Sequence, residues 1–279
     1  MAFINTNAVT RGDESIDTKF SALVEPNLFP DEIFQPNLTF TDKYMTDAMG
    51  QLFVRKLGKG NVDTSNSLTF NHEQTEDELI SIVLDKSFKQ SEAIYEEVSI
   101  ARQSGTGVQK FETLVSNVRE AWQQEAMDQL VAGATASAET TATDIDTLKD
   151  TLTEVRKELR DNYAKPDTLI VSNRIYALML QFSGKEFTPA QNEETLRTGR
   201  AGTWFGLNVY ENPQLADEGT SGDTEFVMYE KDAYSILSQL ITSRIVDAGK
   251  DWAGSAAQFY VKSGFKVTTA DRVYKKTIA

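Results

Sequence analysis

Between positions 108 and 130, apolar residues recur every three or four places: Val108, Phe111, Leu114, Val115, Val118, Trp122, Ala126 and Leu130. That spacing lines one face of a helix with a single apolar stripe, and Gly133 reads as its C-terminal cap. About 25 residues rising about 1.5 Å each make a rod of about 37 Å. This is long for a compact unit cut from a 279-residue chain, a length that suits one large domain or two smaller ones. Whatever the chain folds into must cover the apolar side of that rod.

The segment before the rod cannot fold by itself. In the first 45 residues, Pro26, Pro30 and Pro36 recur at short spacing, with Phe20, Leu28, Phe29, Ile33, Phe34 and Phe40 isolated between them. Prolines impose extended or turn geometry and block helices, so this arm must lie along another surface, its own or a neighbour's. Residues 50–95 read as β structure. A strand at 51–57 leads to a flexible tip, Gly58-Lys59-Gly60-Asn61, and Leu68, Phe70 and His72 then alternate with polar residues. Runs at 79–84 and 87–95 follow, broken at Asp85-Lys86. A long hairpin with a Gly-rich basic tip is the simplest organisation, and such a ribbon needs something to dock on.

Beyond the rod, residues 134–143 form a small-residue linker. Asp144 caps a second helix with Ile145, Leu148, Leu152, Val155 and Leu159 on one face. Lys165-Pro166-Asp167 ends it before a strand at 168–172, and a short helix runs from Asn173 to about Phe182. Residues 183–202 have no clear period and are expected as an exposed loop. Strands are expected at 204–211, 225–229 and 234–242, then at 258–261, 265–268 and 272–278. The class is α+β.

A search for chemistry among these elements comes back empty. With no cysteine, disulfides, thiolate metal sites and thiol nucleophiles are excluded. The one histidine, His72, stands in H-E-x-x-E with Glu73 and Glu76. The zinc-protease pattern needs a second histidine and a helix, whereas this segment reads as strand and turn. Lys59, Lys185 and Lys250 follow glycines, yet none completes a phosphate-binding loop. The acidic runs Glu73-Glu76-Asp77-Glu78 and Glu92-Glu96-Glu97 could in principle hold a divalent ion for a metal-dependent enzyme; a solvated acidic face is the simpler reading. No cofactor is expected.

Twenty-eight basic against 42 acidic residues give a net charge of −14. An acidic chain repels nucleic-acid phosphates, which argues against a coating role on DNA or RNA. The charge is uneven: residues 231–279 hold eight Lys/Arg and four Asp/Glu, a surplus of +4, leaving −18 on the rest. That asymmetry reads either as ordinary surface variation or as head-to-tail complementarity between copies. No apolar run can span a bilayer and no secretory signal opens the chain, so a soluble protein made in the cytosol is expected. Trp122 and the pair Trp204-Phe205 read as core. Trp252 reads either as core or as an anchor between copies.

An extended arm, a long hairpin, a long helix, an α/β middle and returning strands together resemble the major capsid proteins of tailed bacteriophages. The stretches that carry the likeness are EAWQQEAMDQLVAG at 120–133, PDTLIVS at 166–172, GTWFGLNVY at 202–210, GFKVT at 264–268 and RVY at 272–274. The resemblance implies an N-terminal arm at 1–45, an extended β-hairpin loop at 46–90 and a peripheral domain with a spine helix at 91–140. An α/β axial domain at 141–243 and returning strands at 244–279 complete it. It implies an icosahedral shell of pentamers and hexamers around packaged double-stranded DNA that is enclosed without specific binding. The shell would form in the host cytoplasm with a scaffolding protein, a portal and decoration proteins as partners; because the arm opens the chain, a separate scaffold or prior removal of a leader is expected. Contacts between copies are expected at Phe29, Phe34, Lys56, Lys59, Asn61 and Trp252. Encapsulins share the fold and enclose enzymes, so a nanocompartment shell is the alternative.

Overall fold

The computed structural model describes residues 33–34, 37–40, 51–56, 78–95, 106–137, 144–182, 186–190, 200–215, 224–247 and 254–277. The rod is there as helix α1, Thr106–Gly133. Its stripe is buried as the spacing requires: Leu114, Val118, Trp122, Ala126 and Leu130 are all enclosed, joined by Val115 and Met127. Gly133 plays a different part from the one expected. It does not lie in the left-handed region that a capping glycine favours. A Cβ there would stand 2.5 Å from Val267 Cγ2, so a close approach of strand to helix demands the glycine.

One flank of α1 is covered by a four-stranded sheet made of β1 (Leu38–Phe40), β11 (Tyr234–Asp247), β12 (Gly254–Val267) and β4 (Lys86–Tyr95), in that order. β11 and β12 form a 14-residue antiparallel pair, and β4 runs antiparallel to β12. The expected breaks around 262–264 are absent. Local polarity hid the strand's continuity, and its cause is tertiary. Ser263 is buried because Trp122 Nε1 donates to its Oγ at 2.9 Å and Ser238 Oγ lies 2.8 Å away. At Gly264 a Cβ would run into Val83 O. Val83 ends β3 (Glu78–Val83), which pairs antiparallel with β2 (Gln51–Lys56) as the expected ribbon. The register joins Lys56 to Glu78, and the expected tip at Gly58-Lys59-Gly60-Asn61 and the expected alternation at Leu68, Phe70 and His72 both lie outside the described residues.

The second sheet has seven strands in the order β5-β13-β10-β6-β9-β8-β7. These are β5 (Thr135–Ala136), β13 (Val273–Thr277), β10 (Thr224–Tyr229), β6 (Thr168–Val171), β9 (Leu207–Glu211), β8 (Arg200–Trp204) and β7 (Phe187–Pro189). Every residue of the central β6 and β10 is buried, the mark of a sheet covered on both faces. Alternation divides the side chains. Ile170, Val227, Tyr229 and Val273 join the core under α1. Leu169, Val171, Phe226 and Met228 join a second core under α2 (Ile145–Asp161) and α3 (Asn173–Met179). Asp144 caps α2 as expected: its carboxylate accepts from Thr147 N at 2.8 Å while Thr147 Oγ1 accepts from Asp144 N at 3.1 Å.

Two expectations fail in this sheet. The expected loop at 183–202 contributes β7 and the start of β8, strands whose partners lie across the hairpin and leave no local period. The expected strand at 204–211 is a hairpin that turns at Phe205-Gly206, where both residues have positive φ (43° and 85°). Trp204 is core, but Phe205 stands 55% exposed at the turn.

Candidate functional site

Among the described residues no group of three or more His, Asp or Glu side chains converges as a metal site would require. His72, Glu73, Glu76 and Asp77 lie outside the described residues, as do Phe29, Lys59, Asn61 and Trp252. Lys56 ends β2, opposite Glu78 in the ribbon's register. Phe34 sits where three elements meet, and that junction is the best-defined feature of the arm.

Phe34 is 3% exposed and Ile33 8%, both within the core under α1. The Phe34 ring meets Trp122 and Tyr234 edge-on, each at 6.2 Å between centroids, the geometry aromatic quadrupoles favour. Expected between copies, Phe34 is thus enclosed by its own chain and offers a neighbour almost no surface. Asn37 completes the latch. Its Nδ2 donates to Lys231 O at 2.5 Å and to Tyr234 O at 2.7 Å, tying the arm to the 3-10 turn at Lys231–Ala233. Directly after it, β1 pairs parallel with β11, Leu38 opposite Ile236.

Below the latch lie two buried tyrosines. Tyr234 donates to Ala126 O on α1 at 2.7 Å, and Tyr229 to Ile33 O on the arm at 3.4 Å. Burial pushes both phenols far above their ordinary value, so they act as fixed donors. Asp167, half-buried beside them, accepts from Thr168 Oγ1 at 2.9 Å and from Lys231 N at 3.1 Å. Burial nevertheless raises its carboxyl above the usual range. At the edge of β4, Lys86 meets Glu125 of α1 at 2.6 Å, and this bond holds the Glu125 carboxyl below its ordinary value. In the second core's layer Arg174 of α3 meets the fully buried Glu225 of β10.

None of these groups is arranged as an acid–base pair or a nucleophile with its base. Each polar contact ties one element to another: arm to sheet, helix to strand, turn to strand. What the arrangement can do is hold an extended arm and a ribbon on a rigid two-sheet body. Sequence reasoning picked out the arm's aromatics, whereas Asn37 was missed. Its signal, an amide directly after Pro36, is too common to stand out.

A family model described as phage capsid protein matches residues 109–275, from α1 to the last strand. No curated protein matches the chain in sequence. Among solved structures, one from Mycobacterium phage Che8 aligns with a TM-score of 0.62 at 17% identity, covering 81% of this chain and 84% of that one. The capsid of the cyanophage P-SCSP1u aligns at 0.62 with 12% identity and 88% of each chain covered. A virus-like particle from Pyrococcus furiosus aligns at 0.60 with 9% identity, covering 93% of this chain and 98% of that one. At such identities these likenesses speak for the fold.

Proposed function

Since this chain belongs to the phage capsid protein family, we propose that it is the major subunit of an icosahedral shell, built of pentamers and hexamers around packaged double-stranded DNA. The observation that carries this reading is the pairing of a family match over residues 109–275 with a fold that covers capsid chains almost end to end. In this role the subunit is structural and not an enzyme. The arm at 1–45 and the ribbon at 46–90 serve as ties, the α1 layer (91–140) as peripheral domain, the seven-stranded layer (141–243) as axial domain, and 244–279 as the return between them. Phe29, Lys56, Lys59, Asn61 and Trp252 are contacts between copies. A scaffolding protein, a portal and decoration proteins are its partners in the host cytoplasm. The net charge of −14 supports enclosure of DNA without adhesion, since a like-charged wall lets the genome slide.

The alternative, a nanocompartment shell of the encapsulin type, has no better support than the phage shell, since the virus-like particle from Pyrococcus furiosus aligns no more closely than the phage chains. Electron microscopy with sedimentation, on the protein expressed with its candidate scaffold and alone, tests the first. Closed shells, or rings of five and six, are expected; a monomer in both preparations overturns it. DNA rather than an enzyme inside the purified particle separates the two shells.

A further inference from the structure

The β11–β12 ladder buries a polar pair where its pattern calls for apolar side chains. Ser238 and Ser263 stand directly opposite each other in the register, and both are fully enclosed. Their neighbours on the same inward face are Ile236 on β11 and Val261 and Phe265 on β12. The two Oγ atoms lie 2.8 Å apart, and Trp122 Nε1 of α1 donates to Ser263 Oγ at 2.9 Å. The indole thus has its acceptor, and each hydroxyl has the other as partner. The ladder's backbone bonds do not impose one alignment throughout, since the register shifts between Leu240 and Thr242, just beyond the pair.

Alternation protects a ladder only against odd slips. A one-residue slip turns every apolar side chain to the wrong face. A two-residue slip keeps Ile236, Val261 and Phe265 turned toward α1, so the apolar pattern is blind to it. The hydroxyls are not. Slipped by two, Ser238 faces Val261 or Phe265, and Ser263 faces Ile236 or Leu240. The bond between the hydroxyls is then lost, and a buried polar group without its partner bears the full cost of leaving water. Gly264 fixes β12 against Val83 of β3, a contact unchanged when β11 is the strand that slides. Tyr234, through its bond to Ala126 O, anchors β11 at its first residue only. We propose that Ser238, Ser263 and Trp122 form a register lock, which holds β11 against β12 in the one alignment that leaves both buried hydroxyls paired. A lone buried polar residue fixes register between packed helices in the same way. Because Trp122 belongs to α1, the lock sets the ladder against the helix as well as strand against strand. It stands independently of the shell reading.

The chain contains no cysteine, so introduced pairs report the register without background. On the face away from α1, Gln239 stands opposite Lys262. Gln239→Cys with Lys262→Cys can therefore join in the native alignment. Gln239→Cys with Tyr260→Cys meets only after a two-residue slip, since diagonal positions about 7–8 Å apart are too far for a disulfide. Each pair is placed in the full-length chain, in Ser238→Ala with Ser263→Ala, and in Ser238→Ala alone, which leaves Trp122 its acceptor on Ser263. With alanine at both positions the two alignments bury the same apolar face. Thermal melts confirm folding, and mild oxidation of dilute protein followed by peptide mass spectrometry reads the crosslinks. The unaltered serines are expected to give the bond between 239 and 262 and almost none between 239 and 260. The yield between 239 and 260 is expected to rise about tenfold in the double-alanine chain and less in the single one. A yield that stays at its starting level in the folded variants overturns the lock, and if the double variant does not fold, the single one decides in the same way. Equal yields of both bonds with the serines in place overturn it as well.

Discussion

Single residues decide how the arm is held. Phe34 fills the space between Trp122 and Tyr234, and Asn37 supplies donors to two carbonyls that would otherwise lack that partner. Phe34→Ala is expected to cost about 3–5 kcal/mol, transfer and cavity terms together. Asn37→Ala is expected to cost about 1–3 kcal/mol, because it removes two hydrogen bonds, the one to Tyr234 O buried. Denaturant unfolding reads both, and a loss under 0.5 kcal/mol for Phe34→Ala would show that the arm is not latched there. Asp167 gives a pH signature of opposite sign to an ordinary paired carboxylate. Burial raises its folded value above the ordinary 3.8, so its protonated form favours the folded chain. That contribution is complete below 3.8 and is lost as pH rises through the folded value. Asp167→Asn keeps an oxygen for Thr168 and Lys231 and removes the buried charge. It is therefore expected to raise Tm at pH 7 by about 1–3 °C, a gain that shrinks as pH falls through the folded value.

Elements are positioned by close approaches that reverse ordinary propensity. Gly133 lies in α1, where replacing glycine by alanine usually gains about 1 kcal/mol. Here the new methyl meets Val267 at 2.5 Å, so Gly133→Ala is expected to destabilise by about 1–3 kcal/mol. Coupling it with Val267→Ala should recover part of that loss in a double-mutant cycle. Gly264 makes the equivalent demand on the ribbon. Val83 O leaves no room for a Cβ, and backbone cannot step aside as a flexible side chain would. Gly264→Ala is expected to displace β3 from β12, seen as faster amide exchange in β3 while α2 and α3 keep their protection.

Across the whole molecule, one core spans both sheets. One cluster holds residues of α1 together with Ile236, Phe259 and Val261 of the four-stranded sheet and Val227 and Val273 of the seven-stranded sheet. A shared core couples the melting of its parts, so calorimetry on the dilute, unassembled chain is expected to show a single transition. Two well-separated transitions would mean that α1 does not bind the layers together. In the proposed shell, strain from a neighbour pulling on the arm would reach both layers through Phe34 and Trp122.

By itself the sequence determined whatever depends on local period. The α1 stripe, the Asp144 cap, the β2–β3 ribbon and strands 168–171 and 225–229 were all legible, and the order of these parts carried the family resemblance. Only the tertiary structure decided what depends on partners far away in the chain. Ser263 is polar yet buried because Trp122 and Ser238 reach it, and residues 187–189 are a strand because 202–204 lie beside them. The enclosure of Phe34 by Trp122 and Tyr234 of its own chain belongs with these. Periodicity tells which side of an element must be covered, whereas the covering surface is set by contacts across 80 to 200 residues of chain, as in Phe34 with Trp122 and Asn37 with Tyr234.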